Sequence, residues 1–405
     1  MAYERKNTIG GLENQCWKDS SSSILFADGS DSSLPRATCE VQGYVYDAKL
    51  RTARLARTFW GDDRLADRLE SEAAELRRRF NQDFWIADRE YFALALDGDN
   101  RQVDSLTSNI GHLLWSGIVD PDKADACRQH LLGPRLFSGW GVRTMADGDG
   151  GYNPVSYHNG TVWPHDNALI AHGLSRYGFK DEAARIIVGI LEASTHRRYR
   201  LPEAFAGYER SVTGYPVEFP TACSPQAWAA GAVLLFIRTL LGMHLDGRRL
   251  HVDPALPPEI GHLSVSGVRG RWGQTDVNSK DSSYGATLDG PPDSLRQVLA
   301  ALPALADPAE VRELNGSARI DVVDGPSWHL RVRDGAITIS QSRAEADCVI
   351  SGREADLMRV YRGEITPTIA AMQGLLTLQG DAAVALRYGN IIAASSRSAR
   401  RDASP

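Results

Sequence analysis

The sequence predicts a mainly α-helical protein that ends in a small α+β domain. Up to about residue 245, segments with apolar residues at helical spacing alternate with long polar loops, which favours an all-α array over a parallel α/β fold. After about residue 292, short segments of alternating hydrophobicity are joined by the turns Asp324-Gly325 and Asp334-Gly335, which favour hairpins. The functional face of the first part should therefore consist of loops between helices.

About seven helices are predicted before residue 245. In the first, Val41, Tyr44, Val45 and Ala48 follow the i, i+3, i+4, i+7 spacing of one helical face. The predicted segments are 38–59, 62–82, 104–117, 120–132, 164–178, 181–191 and 224–242. The last is apolar on nearly every side, so we expect it to be buried among other helices. Residues 84–105 fit either a short hairpin or a long loop, and residues 248–279 suggest short strands.

Composition narrows the class of protein. The net charge of −6 argues against nucleic acid or a polybasic membrane surface as the main partner. No apolar run reaches the ~18 residues of a membrane span, and the first residues lack the apolar core of a signal peptide. The five cysteines are widely spaced, without a CxxC pair, which predicts reduced thiols in a cytoplasmic protein. Neither a metal site nor a cofactor is predicted.

The most distinctive segment is 151–178, GYNPVSYHNGTVWPHDNALIAHGLSRYG, a polar and aromatic loop that runs into a helix. Pro164 suits the first turn of that helix. Imidazoles, an indole, an amide and a carboxylate together suit a sugar, which offers an apolar ring face and several hydroxyls. These residues alone fit equally well a hydrogen-bonded helix start around a core tryptophan.

Carboxylates on separate loops of the helical part could hydrolyse a glycosidic bond. Such a reaction needs one carboxylic acid that protonates the leaving oxygen and a second carboxylate that activates water or attacks carbon. The candidates are Asp19, which lies beside Trp17, and Glu203, with Asp166 and Glu218 as competitors. Because the sequence does not give the distances between them, the residues alone leave this choice open.

Five motifs between residues 10 and 245 resemble the C-terminal half of amylo-α-1,6-glucosidase (glycogen-debranching) type proteins. The toroid of these proteins in turn resembles that of mannosylglycerate hydrolases of glycoside hydrolase family 63. The motifs, in chain order, are GLENQCWKDS, EVQGYVYDA, NPVSYHNGTVWPHDNALIAHGL, LPEAFAG and ACSPQAWAAGA. The resemblance implies an (α/α)6 toroid that holds its oligosaccharide or glycoside substrate at one end, in the inter-helix loops.

The resemblance also implies residue roles. Asp19 corresponds to the general acid and Glu203 to the general base of an inverting reaction, with Glu218 on the same loop as the alternative base. The sugar-binding residues implied are Trp17, Lys18, His158, Asn159, Trp163, His165, Asp166, Gln226 and Trp228. The sequence departs from the family at Cys16, where members usually have glycine, and at Ser21–Ser23, which replace a more acidic run.

Residues 292–393 resemble the sterol carrier protein type 2 family over ADCVISGREADLMRVYRGEITPTIAAMQGLLTLQGD. That resemblance implies a mixed sheet whose helices form an apolar tunnel for an acyl or sterol lipid. Met358, Ile369, Met372 and Leu376 are candidates for its lining, and ordinary core positions are the alternative.

The predicted domain order is a partial toroid at 1–247, a β extension at 248–279, a linker at 280–291, the α+β domain at 292–393 and a disordered tail at 394–405. The toroid would lack its N-terminal helices, so an upstream segment or an oligomer partner would have to cover it. Two functions from different classes follow. One is a debranching-type glycosidase acting on α-glucosidic or related links. The other is a non-catalytic carbohydrate-binding or lipid-carrier protein that uses its C-terminal domain.

Overall fold

The computed structural model describes residues 1–4, 10–246, 249–270, 273–279, 294–306, 311–312 and 314–401. The chain divides into two compact units, which are described separately. The helical unit comprises Met1–Gly242 and Ala255–Gly261. The C-terminal unit comprises Met243–Pro254 and His262–Pro405.

The helical unit contains helices at all of the predicted positions. They are α1 (Cys39–Leu55), α2 (Asp63–Asp83), α3 (Asn109–Ser116), α4 (Pro121–Leu132), α5 (Pro164–Arg176), α6 (Lys180–Thr195) and α8 (Ala227–Leu240). The short helix α7 (Arg210–Thr213) was not predicted and lies in the segment between α6 and α8. A π-helical turn, Ala56–Trp60, extends α1. Proline occupies the first turn of both α4 and α5, as the sequence predicted.

Helix α5 is the central element of this unit. It packs against α3, α6 and α8. Its apolar face, Ile170, Ala171 and Leu174, has helical spacing and is fully buried. Because α5 begins at Pro164, directly after the polar loop, this packing fixes the loop's C-terminal end.

Residues 84–105 form hairpins, which decides between the two alternatives left by the sequence. β2 (Trp85–Ile86) pairs with β3 (Tyr91–Phe92), and β4 (Ala95–Leu96) pairs with both β5 (Gln102–Val103) and β1 (Ala37–Thr38). Phe84 and Phe92 of this segment each stack on Phe80 of α2, so they serve packing.

Helix α8 differs from its prediction. Its partners are α5 and α6, and it buries one face through Ala229, Ala232 and Phe236. On the opposite face Leu234 is 71% exposed, and Trp228 is also exposed. The expectation of burial on all sides was therefore wrong. An apolar composition allows a helix to be buried, but its burial depends on which other elements pack against it.

The C-terminal unit is built on a five-stranded sheet with the order β12-β11-β10-β13-β14. Its strands are β10 (Gly316–Val322), β11 (Ser327–Arg333), β12 (Ala336–Ser340), β13 (Cys348–Gly352) and β14 (Leu376–Gly380). β10 and β13 are parallel, with Ala318 opposite Cys348, and the other neighbours are antiparallel. The predicted Asp-Gly turns lie between β10 and β11 and between β11 and β12.

Four helices cover this sheet within the described residues, and two small hairpins precede it. The helices are α9 (Leu295–Leu305), α10 (Glu354–Tyr361), α11 (Pro367–Met372) and α12 (Ala382–Arg401). The hairpins pair β6 (His244–Asp246) with β7 (Arg249–His251) and β8 (Ser264–Gly270) with β9 (Gly273–Asn278). The unit's core joins Leu299, Leu330, Ile320 and Tyr388 from helices and strands.

Two features of this region differ from the sequence predictions, and a third prediction falls outside the described residues. Helix α9 was not predicted, because Pro303 interrupts its pattern. Helix α12 continues to Arg401, so the disordered tail expected from residue 394 was wrong up to that point; alanine and arginine are strong helix formers. The predicted linker at 280–291 lies outside the described residues. Across the described part of the chain, no helix is long and apolar enough to span a membrane.

Candidate functional site

The segment 17–23, called the acid loop here, lies against the polar loop that precedes α5. Ser20 Oγ is 2.7 Å from His158 Nδ1, and Asn159 Nδ2 donates to the carbonyl of Ser22 at 2.6 Å. These contacts bring Asp19 Oδ1 to 4.0 Å from His158 Nδ1. The Asp19 side chain is 51% exposed, so it remains open to an incoming molecule.

A second set of backbone contacts positions Glu203. Val162 and Phe205 exchange two hydrogen bonds, of 2.8 and 3.0 Å, and Phe205 also bridges to Glu218. The polar loop and two parts of the segment between α6 and α8 therefore meet as a short sheet-like ladder. Since Glu203 lies two residues before Phe205, the ladder places its carboxylate beside the polar loop.

The Glu203 carboxylate is 6% exposed and accepts three hydrogen bonds. The donors are the Tyr157 hydroxyl at 2.7 Å, the Cys223 backbone N–H at 3.0 Å and the Gln226 amide at 3.3 Å. Burial alone would raise the pKa of Glu203. The bonds from Cys223, Tyr157 and Gln226 outweigh burial and hold that pKa below its ordinary value. These hydrogen bonds therefore keep the Glu203 carboxylate ionised and fix its orientation.

Glu218, the alternative base, lies in a different environment. Its side chain is 70% exposed and forms an ion pair with Arg197 at 2.9 Å. An exposed ion pair of this kind is common on protein surfaces and carries little energy. The geometry therefore favours Glu203 over Glu218 as the carboxylate of the site.

The two candidate carboxylates meet at a pair of consecutive residues. His158 is the neighbour of Asp19, and Tyr157 binds Glu203. The rings of Tyr157 and His158 lie 4.5 Å apart between centroids. Asp19 and Glu203, which lie 184 positions apart in the sequence, thus each contact one residue of a consecutive pair.

An aromatic cluster forms the wall beside these carboxylates. Trp17 makes edge contacts with His158, Trp163 and His165 at 5.3–5.9 Å. His165 stacks face to face on Trp228 at 3.9 Å. Trp163 is fully buried, whereas Trp228 is 42% exposed, so Trp228 offers an open ring face and Trp163 supports it.

The imidazoles of this cluster are neutral at physiological pH. Burial, assisted by the charge of Lys18, lowers the pKa of His158 to about 3. Burial also lowers the pKa of His165 to about 4. A neutral imidazole can donate one hydrogen bond and accept another, which suits hydroxyl groups better than a fixed charge does.

Two predicted sugar-binding residues are out of a ligand's reach in this structure. Asp166 is fully buried and binds His112 Nε2 at 2.6 Å, while His112 Nδ1 bonds to the Tyr44 hydroxyl at 2.6 Å. Lys18 is also fully buried, and its ammonium donates to the carbonyl of Thr144 at 2.5 Å. Both residues therefore support the site from within.

The sequence prediction omitted three residues of this arrangement. His112 stacks beneath Trp17 at 5.6 Å and links Tyr44 to Asp166, but its spacing on α3 carries no chemical signal. Tyr157 could have been found, since it directly precedes His158 in the polar loop. Among the residues that the structure describes, no group of three His, Cys, Asp or Glu side chains could hold a metal ion.

The C-terminal unit contains an apolar cavity of about 40 Å³. Its lining comes from α10, α11, α12, β14 and neighbouring strands, and includes Ile350, Leu357, Leu376, Leu378 and Leu386. Of the four predicted lining residues, Leu376 is present. Met358 belongs to the core, and Ile369 and Met372 are exposed, Met372 by 83%.

Comparison with known proteins finds a family match for a segment of each unit. Residues 27–221 match the family described as "Mannosylglycerate hydrolase MGH1-like glycoside hydrolase domain". Residues 295–393 match the "SCP-2 sterol transfer family".

Curated relatives match each part separately. A mannosylglycerate hydrolase from Rubrobacter radiotolerans is 30% identical over 204 residues, which cover 47% of this chain and 44% of that protein. Sterol carrier protein 2 from Bos taurus is 29% identical over 87 residues, or 20% of this chain and 16% of that protein. The aligned segments thus span less than half the length of these relatives.

Solved structures resemble the helical part at lower identity. A structure titled "Sialidase" has a TM-score of 0.51 at 17% identity, covering 63% of this chain and 24% of that one. A GH63 mannosylglycerate hydrolase from Thermus thermophilus in complex with glucose has a TM-score of 0.42 at 19% identity, covering 50% and 45%. The first similarity concerns the fold alone, and the second is too low to support an argument. From the family matches, residues 27–221 are similar to an MGH1-like glycoside hydrolase domain and residues 295–393 are similar to an SCP2 domain.

Proposed function

We propose that the helical unit hydrolyses a glycosidic bond with inversion, using Asp19 as general acid and Glu203 as general base. The observation that carries this proposal is the meeting of both carboxylates at the Tyr157–His158 pair. Asp19 is half exposed and open to a leaving group, whereas Glu203 is buried and held ionised, as a general base must be. The similarity to a mannosylglycerate hydrolase supports the same reaction class.

In this mechanism Asp19 gives its proton to the glycosidic oxygen as the bond between that oxygen and the anomeric carbon breaks. Glu203 takes a proton from a water molecule as the water oxygen bonds to the anomeric carbon from the opposite face. The products are an alcohol and a sugar of inverted anomeric configuration. Proton exchange with solvent then restores the acid form of Asp19 and the ionised form of Glu203.

The sugar would lie against the aromatic wall. Trp228 offers its exposed ring face to the apolar side of a sugar ring, while the neutral His165 and the amide of Gln226 are placed for hydroxyl groups. Trp17, His158, Asn159 and Trp163 hold this wall in place through ring contacts and loop bonds. Mannosylglycerate is the first substrate to test, and branched α-glucans, implied by the debranching motifs, are the second.

The complete fold of this unit is also a proposal. The motifs resemble an (α/α)6 toroid, and the aligned segment spans less than half of the mannosylglycerate hydrolase it matches. We propose that further helices, from a preceding segment or an oligomer partner, close the wall opposite the polar loop. The free cysteines agree with the proposed cytoplasmic location.

The test is hydrolysis by the full chain and by Asp19→Asn, with mannosylglycerate and a branched dextrin as substrates. Loss of the acid should lower kcat by about 10³-fold, because general acid catalysis contributes about 10²–10⁴-fold. NMR of the first product formed should show the inverted anomer. Asp31→Asn, an exposed carboxylate on the same N-terminal segment, is the control and should keep full activity. Retained configuration, or unchanged activity of Asp19→Asn, would exclude this mechanism.

A second function is supported by the apolar cavity of the C-terminal unit. We propose that it binds the hydrocarbon part of an acyl or sterol lipid, since all side chains that line it are apolar. Its volume of about 40 Å³ is near the ~30 Å³ that one water occupies in the liquid, so a lipid chain would enter only as side chains at its rim move apart.

A further inference from the structure

Tyr157 is held rigidly at the site although no role follows for it from the mechanism above. Its ring packs against His158 at 4.5 Å, Trp163 at 4.7 Å and Phe219 at 5.5 Å. Its carbonyl accepts hydrogen bonds from Trp163 Nε1 at 3.0 Å and from Thr161 Oγ1 at 2.5 Å. Backbone and ring are thus both fixed, and the hydroxyl has little freedom of direction.

That hydroxyl donates to Glu203 Oε1 at 2.7 Å, the shortest of the three bonds that Glu203 accepts. A hydrogen bond to an ionised acceptor is roughly twice as strong as one between neutral groups. Of the other two donors, the Cys223 N–H belongs to the backbone, and the Gln226 amide is more distant at 3.3 Å. Tyr157 is therefore the strongest side-chain contact of the carboxylate.

We propose that Tyr157 is a positioning residue, which orients Glu203 and keeps it ionised by donating a hydrogen bond from a fixed ring. This inference rests on the proposed role of Glu203 as general base. It predicts that loss of the hydroxyl leaves the fold intact but lets the carboxylate rotate and accept a proton more readily. The water that Glu203 activates would then be aligned less often and deprotonated over a narrower pH range.

Other titratable groups also face Glu203. His158 and His165 lie on the polar loop and on α5, Cys223 lies on the loop before α8, and Asp19 lies near Tyr157 on the acid loop. Burial, the bond to Glu203 and the charges of Glu203 and Asp19 together raise the pKa of Tyr157, so its hydroxyl stays protonated as a donor. Because both imidazoles are neutral near neutral pH, we expect substitution of Tyr157 to leave their charge unchanged.

The first arm of the test compares the pH dependence of hydrolysis by the native chain and Tyr157→Phe. The variant removes one oxygen atom and keeps the ring packing. We expect kcat to fall about tenfold, KM to stay within about twofold, and the acid limb of kcat/KM to move up by about one pH unit. Tyr152→Phe is the control, because the Tyr152 hydroxyl donates to the carbonyl of Gly207 rather than to a carboxylate.

The second arm needs no activity. Unfolding is measured at pH 7 for the native chain, Tyr157→Phe, Glu203→Gln and the double variant, which form a double-mutant cycle. We expect a coupling of about fivefold in the unfolding equilibrium constant, or ~1 kcal/mol. If the native chain hydrolyses no glycoside, the proposed function is wrong. The second arm still tests whether Tyr157 and Glu203 are coupled. The proposed role of Tyr157 would be overturned if Tyr157 and Glu203 showed no coupling. It would also be overturned if an active Tyr157→Phe variant kept the acid limb of the native chain.

Discussion

The candidate sugar pocket of the helical unit and the apolar cavity of the C-terminal unit are built in opposite ways. The pocket contains two carboxylates, two neutral imidazoles and exposed as well as buried indoles, joined by hydrogen bonds between loops. The cavity is lined by aliphatic side chains with glycine and proline, without a charged group among its lining residues.

The two sites differ in how precisely their side chains must be positioned. Hydrogen bonds depend steeply on distance and angle, so a polar pocket loses its function when one donor moves. Apolar contact is proportional to buried area and has no direction, so an apolar cavity needs only shape and volume. We therefore expect single substitutions to have large effects in the pocket and small, graded effects at the cavity.

The largest effect should distinguish the two glutamates of one loop. Glu203→Gln keeps the size of the side chain but removes the proton acceptor, so we expect kcat to fall by about 10³-fold. Glu218→Gln alters only an exposed ion pair with Arg197, so activity should stay within about twofold. Steady-state hydrolysis by both full-length variants measures the contrast. Comparable losses in the two variants would remove the distinction between the buried and the exposed carboxylate.

The sequence predicted helices, strands and turns well because those signals are local. Hydrophobic spacing located α5, and Asp-Gly pairs located the turns of the C-terminal sheet. The expectation for α8 was wrong, because burial depends on which elements arrive from elsewhere in the chain. Helix α9 was missed because a proline within a short helix masks the pattern.

For the site, the family motifs identified residues that lie close together in the structure. They did not show which of these side chains are accessible to a ligand and which are buried. Trp17, Lys18 and Asp19 are consecutive in one motif, yet Lys18 points into the interior and Asp19 is half exposed. The buried bond between His112 and Asp166 joins α3 to α5, and no sequence pattern encodes that contact. Tertiary packing decides such details, so only the structure could supply them.

A medium effect should come from the rim of the apolar cavity. Leu378 lines the cavity from the edge strand β14 and is partly exposed. Leu378→Asp should weaken binding of cis-parinaric acid, a fluorescent fatty acid, by about tenfold, because a carboxylate replaces apolar contact. The probe is titrated into the full chain, and fluorescence gives the affinity.

Gln379→Asp is the matched control for that substitution. It introduces the same side chain one residue along the same strand, where alternation directs it away from the cavity. Probe affinity in this control should stay within about twofold of the native value. Equal weakening in both variants would mean that the strand, and not the cavity, was disturbed.

The smallest effect expected is the response of lipid binding to pH. The cavity's lining residues carry no titratable group, so nothing there gains or loses a proton between pH 5 and 8. An uncharged sterol probe, dehydroergosterol, avoids titration of the ligand itself, and its affinity for the full chain should change by less than about twofold over that range. Hydrolysis depends on a titrating group, but its acid limb lies below this range. Because its hydrogen bonds lower the pKa of Glu203, the base stays ionised down through this range and activity on the acid side is lost only below the ordinary glutamate value of about 4.3. A probe affinity that varied severalfold between pH 5 and 8 would place a titrating group at the lipid site and remove the contrast between the two units.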